Sequence, residues 1–388
     1  MNPIKKSNKL ENVFYDIRGP IVEEAARLER EGHSIIKLNT GNPAAFGLNA
    51  PDEIIHDVMI NLRNAEAYGD SKGLFAARKA IMQDCQLKNI KGVTIDDVII
   101  GNGVSELIVM CMQGLLNNGD EVLIPMPDYP LWTGAAFLAG GKAVHYLCDE
   151  ENLWYPDLDD IKSKITPRTK AIVMINPNNP TGTYLPIDEI RRLHAGLPPG
   201  VLLVLDGAYA EYVRRNDYEA GIELVATSEN VVMTRTFSKI YGLANLRLGW
   251  AYCPAHVADV LNRIRGPFNI SGPAIAAGVA ALGDQAHVDA AVAHNETWMA
   301  RLEAAFTGLG LKVTPSVANF LLVHFPDVPG LSAAQADAFL RSRGLVLRRV
   351  AAYGFDNALR MSIGSAEANE LVIAALGDFG VEAWRAPG

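Results

Sequence analysis

Short apolar runs alternate with longer amphipathic stretches over most of the chain. "DVIIG" (97–101) reads as a strand entering a helix, "NGVSELIVMCMQGLL". "DEVLIP" (120–125), "KAVHYL" (142–147), "KAIVMI" (170–175), "VLLVLD" (201–206), "NVVMTRT" (230–236) and "LGWAYC" (248–253) read as further strands. Strands of nearly continuous apolar character, separated by helical segments, predict a mostly parallel sheet covered on both faces. Residues 48–268 are therefore expected to form a doubly wound α/β domain. Beyond 285 the pattern changes. A long helical stretch, "AHVDAAVAHNETWMARLEAAFTGLG", leads to "FLLVHF" (320–325), "GLVLRRV" (344–350) and "LRMSIG" (359–364). That predicts a smaller α+β domain from 269–388 plus 1–47, completed by a helix at 19–31.

Composition narrows the function classes. The 388 residues are 49% hydrophobic with net charge −9, and mean hydropathy is +0.08. No basic stripe is present and no helix-turn-helix pattern precedes residue 40, which argues against nucleic-acid binding. The start, "MNPIKKSNKLENV", lacks a secretion signal's apolar stretch. "AIAAGVAAL" (274–282) is too short to span a bilayer. Four scattered cysteines (Cys85, Cys111, Cys148, Cys253) form no CxxC pair, so a cytoplasmic location is expected. No metal site is expected. Cation usage is lopsided: residues 1–182 hold 12 Lys and 6 Arg, residues 183–388 hold 2 Lys and 15 Arg.

Open α/β sheets bind ligands beyond the carboxyl ends of their strands, and polar clusters fall there. "GNGVSEL" opens a helix, so the backbone N–H groups of Gly103, Val104 and Ser105 suit a phosphate; Ser105 and Glu106 also read as plain helix caps. Thr236, Ser238 and Arg247 in "TRTFSKIYGLANLRLGW" add to an anion cage around the isolated Lys239. Asp206 ends an apolar strand and needs a cationic partner to stay ionised, though a strand-end acid is also an ordinary turn residue. Tyr209 and Asn179 of "NPNNPTG" can reach an anionic oxygen. Tyr129 in "PMPDYPLW" can stack on a flat ring or fill core. Together these groups describe pyridoxal 5′-phosphate (PLP), with lysine as the side chain that bonds its aldehyde.

On these motifs the whole chain resembles fold-type I PLP-dependent aminotransferases. The resemblance implies that Lys239 holds the cofactor as a Schiff base and carries the proton between carbons. It implies that Asp206 partners the pyridine nitrogen, Asn179 and Tyr209 hold the ring oxygen, and Tyr129 stacks. Gly103, Val104, Ser105, Thr236, Ser238 and Arg247 correspond to the phosphate cup. Tyr68 in "AYGDSKG" corresponds to a tyrosine that reaches the neighbouring subunit, so a homodimer is expected, with Asn269 a second candidate for crossing over. Arg360 corresponds to the clamp for the substrate α-carboxylate. Residues 1–182 resemble alanine aminotransferases and residues 183–388 resemble histidinol-phosphate aminotransferases. This agrees with the cation seam and suggests a recombinant of two parents. Tyr15 and Arg18 resemble substrate-pocket residues of the former family, Arg348 matches a phosphate contact of the latter, and Gly41 is a further substrate-site candidate. The expected substrates are small amino acids or an amino-alcohol phosphate, with a 2-oxo acid as acceptor. A β-lyase or decarboxylase on the same scaffold, and a chimera that binds PLP with little turnover, are the alternatives.

Overall fold

The computed structural model describes residues 7–11, 13, 20–41, 43–47, 49–72, 75–88 and 90–385. Its centre is an eight-stranded sheet. The strands lie side by side in the order Val98–Gly101, Gly249–Tyr252, Val231–Thr236, Leu202–Asp206, Thr169–Ile175, Glu121–Met126, Lys142–Asp149 and Tyr155–Pro156. The four central contacts, from Val231–Thr236 across to Lys142–Asp149, are all parallel. Gly249–Tyr252 runs antiparallel to both neighbours, and the two-residue Tyr155–Pro156 pairs antiparallel at the far edge.

The apolar runs are explained by two cores, one on each face. Alternate residues of one strand divide between them. Ile172, Leu203, Leu205 and Met233 face a core shared with the helices Phe75–Leu87 and Gly272–Gly283. Ala171, Val173, Val204 and Val232 face a second core, shared with Gly103–Leu115 and Leu131–Leu138. Both faces are dry, so neither half of the period-2 pattern is polar.

A four-stranded antiparallel sheet follows, in the order Lys312–Thr314, Phe320–His324, Ala358–Ser362 and Arg348–Arg349. The helices Gln285–Gly308 and Ala366–Arg385 cover it through Leu302, Phe306, Val372 and Leu376. The expected single strand at 344–350 is in fact two. Leu345–Val346 pairs in parallel with Ile36–Lys37, whereas Arg348–Arg349 turns into the antiparallel sheet. Leu347 between them is buried in the small core, and a single apolar run conceals the change of partner. The first long helix runs Pro20–Arg30, within a residue of expectation. No helix of the described residues is long and apolar enough to cross a membrane.

Candidate active site

Four polar side chains emerge where parallel strands end. Tyr129 follows Glu121–Met126, Asn179 follows Thr169–Ile175, Asp206 closes Leu202–Asp206 and Thr236 closes Val231–Thr236. They converge on a cavity of about 290 Å³. Val104, Ser105, Tyr209, Ser238, Lys239 and Arg247 also line it. The smaller sheet and its approach strand contribute Thr40, Gly41, Arg348, Tyr353 and Arg360. The cavity is therefore made by two sheets meeting over the strand ends, as expected for an open α/β sheet.

The anion cage is built on close backbone approach. Gly103 has φ +74°, and a β-carbon there would collide with the Arg247 guanidinium. One at Gly249 would stand 2.7 Å from the Val104 nitrogen. Arg247 itself has left-handed backbone, φ 53°. Its Nη1 donates to the Ala244 carbonyl at 2.8 Å and to Ser238 Oγ at 3.4 Å. Ser238 N–H donates to Thr236 Oγ1 at 3.1 Å. Glu106 has the capping role read from sequence, accepting from Asn102 N–H at 2.6 Å. Gly103→Ala is expected to force Arg247 out of the cage. Losing that donor to a phosphate costs about 1.5–3 kcal/mol, so a cofactor phosphate held there should dissociate at least ~10-fold more readily. Equilibrium dialysis of the loaded protein measures this.

Asp206 is 3% exposed. No cation is within ion-pair distance of it among the described residues. Instead Trp132 Nε1 donates to its Oδ2 at 2.9 Å, and Thr234 Oγ1 lies 3.5 Å from its Oδ1. Burial pushes the carboxyl up from the ordinary range. Trp132 is the strongest force pulling it back, followed by the Ala208 N–H, Thr234 and the charge of Lys239. Trp132 was missed in the sequence because it lies 74 residues from its partner.

Arg360 is 6% exposed. Its Nη1 donates to Asn179 Oδ1 at 2.5 Å and its Nη2 to the Asn39 carbonyl at 3.0 Å. The guanidinium lies 5.0 Å over the Phe320 ring, and Nε has no acceptor. Asn179 Nδ2 in turn donates to the Tyr209 hydroxyl at 3.4 Å. Arg348 is the cross-strand neighbour of Arg360. Its Nε and Nη2 donate to the Tyr353 hydroxyl at 3.0 and 2.6 Å. Lys239 Nζ sits 5.4 Å from the Tyr209 ring centre. A β-carbon on Gly41 would lie 3.7 Å from that nitrogen and 3.3 Å from Asn319 Oδ1, a buried acceptor with no donor. Among the described residues, no carboxylate pairs with Lys239, Arg348 or Arg360.

Two expected site residues stand apart. Tyr68 is 85% exposed and stacks on Phe268 with ring centres 4.7 Å apart. Asn269 donates to Glu106 Oε2 of its own chain at 2.6 Å, beside the first turn of the cage helix. Tyr15 and Arg18 lie outside the described residues.

Comparison with known proteins agrees with this geometry. The model of the family "Aminotransferase class I and II" matches residues 33–376. The chain belongs to that family. It is an aminotransferase. A histidinol-phosphate aminotransferase of Rhodopseudomonas palustris is 54% identical over 288 residues, covering 74% of this chain and 78% of its own. A match of that length within 388 residues must include 101–288, so it crosses the seam at 182. A crystal structure of an aminotransferase from Escherichia coli superimposes with TM-score 0.83 and 37% identity, covering 98% of both chains. The fold is shared by histidinol-phosphate aminotransferase from Sinorhizobium meliloti, solved in complex with PLP (TM-score 0.80, 22% identity, 95% and 98% covered).

The cavity fits such a cofactor. Val104, Ser105, Thr236, Ser238 and Arg247 line one side of the cavity with donors that suit a phosphate, the pinned Asp206 offers an oxygen to a ring nitrogen, and Lys239 has no competing anion among the described residues.

Proposed function

We propose that the enzyme transfers the amino group of an α-amino acid, or of an amino-alcohol phosphate, to a 2-oxo acid, and that an anionic substituent on the substrate is part of what it recognises. PLP is the cofactor. When bound it supplies an aldehyde that bonds amines and a ring that accepts the electron pair left at the substrate carbon.

The residues divide the work. Gly103, Val104, Ser105, Thr236, Ser238 and Arg247 hold the phosphate. Tyr129 covers the ring, Asn179 and Tyr209 hold its oxygen, and Asp206 keeps the ring nitrogen protonated. Arg360 binds the substrate carboxylate and orients the Cα–H bond toward Lys239. Lys239 removes that proton as base and returns one as acid. Arg348 faces the distal end of the substrate, and Gly41 bounds the same pocket. The observation that carries the substrate reading is the pair Arg348 and Arg360, adjacent across two strands and without an acid partner among the described residues. Two cations at one cavity suit a substrate with two anionic ends, or one dianionic group that both can reach. Glutamate presents two carboxylates, histidinol phosphate has no carboxylate but presents a dianionic phosphate, and alanine presents a single carboxylate. The similarity to histidinol-phosphate aminotransferases supports the phosphate-bearing choice.

The test is a half-reaction panel. Glutamate, alanine and histidinol phosphate are added separately to the loaded enzyme, and loss of the visible cofactor band is followed. The reading expects glutamate or histidinol phosphate to discharge the band at much lower concentration than alanine. Alanine as the best donor contradicts it.

Residues 48–268 form a large domain, and 1–47 with 269–388 a small one. The enzyme is a cytoplasmic homodimer. The exposed apolar side chains Ile55, Met59, Ile60, Leu62 and Phe75, together with Tyr68, support a second copy as their cover, with Tyr68 entering the partner's site. The two-parent origin predicts that residues 1–182 and 183–388, aligned separately, match different subfamilies.

A further inference from the structure

We propose that Trp132 is a positioning residue for the reaction: its buried indole N–H fixes Asp206 so that one carboxylate oxygen is held and the other is free to face the cofactor ring. This rests on the proposed role of Asp206.

Trp132 is the second residue of the helix Leu131–Leu138 and has no exposed surface. A buried indole needs an acceptor for its N–H, and Asp206 Oδ2, at 2.9 Å, is that acceptor. Among side chains of the described residues, the opposite oxygen, Oδ1, has the long 3.5 Å approach of Thr234, and the Ala208 N–H adds a backbone donor to the carboxylate. The indole thus commits Oδ2 and leaves Oδ1 without a short side-chain donor. The partner is also chemically apt. An indole N–H donates only and does not titrate in water's ordinary range. A carboxylate stabilised this way keeps its charge without a neighbouring cation whose own protonation would vary. The charged and titratable groups that act on Asp206 are Lys239, which favours its anion, and the buried Tyr218, whose hydroxyl donates to the Asn176 carbonyl. Neither replaces the direct bond from Trp132.

The same segment carries Tyr129, three residues earlier, and is fastened at its other side. Thr133 Oγ1 donates to Asp128 at 2.7 Å and lies 2.9 Å from His145 Nε2. The segment that presents Tyr129 to the cavity therefore also carries the residue that orients Asp206.

The experiment compares wild type, Trp132→Phe and Trp132→His, each loaded with PLP. The pH midpoint of the bound cofactor's visible absorbance change is measured beside kcat and KM. With Asp206 less well held as an anion, the ring carries less positive charge and the nitrogen of Lys239 keeps its proton to higher pH. Trp132→Phe is expected to raise the midpoint and to lower kcat ~10- to 100-fold, with KM changed less than threefold. Trp132→His also shrinks the side chain but restores a ring N–H, and is expected to return the midpoint to the wild-type value. An unshifted Trp132→Phe midpoint overturns the proposal, even if that variant melts earlier, because the role is then only structural. Should Trp132→Phe fail to fold, a Trp132→His midpoint displaced from wild type overturns it. Colourless wild-type protein would instead overturn the cofactor reading, and this inference with it.

Discussion

Lys239→Ala is expected to lower turnover by at least ~10⁴-fold, because in the proposed reaction one side chain both anchors the cofactor and moves the proton at Cα. No nearby group can take over. The chain has only one other lysine after residue 182, Lys312, and it is ion-paired with Glu150 at 2.9 Å on the surface. Tyr209, whose ring lies beside Lys239, already receives the Asn179 amide. The variant should fold, since Lys239 makes no hydrogen bond or ion pair among the described residues that its loss would break. PLP should still bind through the phosphate cage, but without the visible band of the lysine-bound form. Turnover within tenfold of wild type would show that another base does the work.

Arg360→Leu is expected to separate binding from stability. The arginine is buried among neutral partners, and desolvation lowers its pKa from the ordinary arginine value. A buried cation without a counter-charge costs stability that an arriving carboxylate offsets. The leucine variant should therefore unfold within a few degrees of wild type when free of substrate. Its kcat/KM should fall by the ~2–5 kcal/mol associated with losing one partner of a buried charge pair, roughly 30-fold to several-thousand-fold. Steady-state kinetics and thermal unfolding on one preparation measure both. Unchanged KM together with a large loss of heat stability would make Arg360 a structural residue.

Much of this site could be read from the chain because parallel strands buried on both faces make continuous apolar runs. The first polar residue after such a run marks a strand end. Asp206 after "VLLVL" is legible in that way, whereas Thr236 closes a strand that already carries the buried Thr234 and Arg235; the structure brings Asp206 and Thr236 to one cavity. Lys239 stood out through the scarcity of lysine around it. What pairs with what was not legible. The bond from Trp132 to Asp206 joins two apolar segments that each read as core. The donation from Arg360 to Asn179 crosses 181 residues and the two sheets. The change of partner at Leu347 leaves no polar mark, since both halves of "LVLRR" are compatible with a strand. The two-residue strand Tyr155–Pro156 is too short to show a period.

In the proposed reaction residue 239 carries the cofactor in the cavity over the strand ends. Reducing the PLP-loaded protein with borohydride fixes the lysine–cofactor bond, and peptide mass spectrometry then locates it. The account predicts one pyridoxyl group per chain, on the peptide containing Lys239. Modification of Lys312 or of the lysines before residue 182, with Lys239 unmodified, would contradict it.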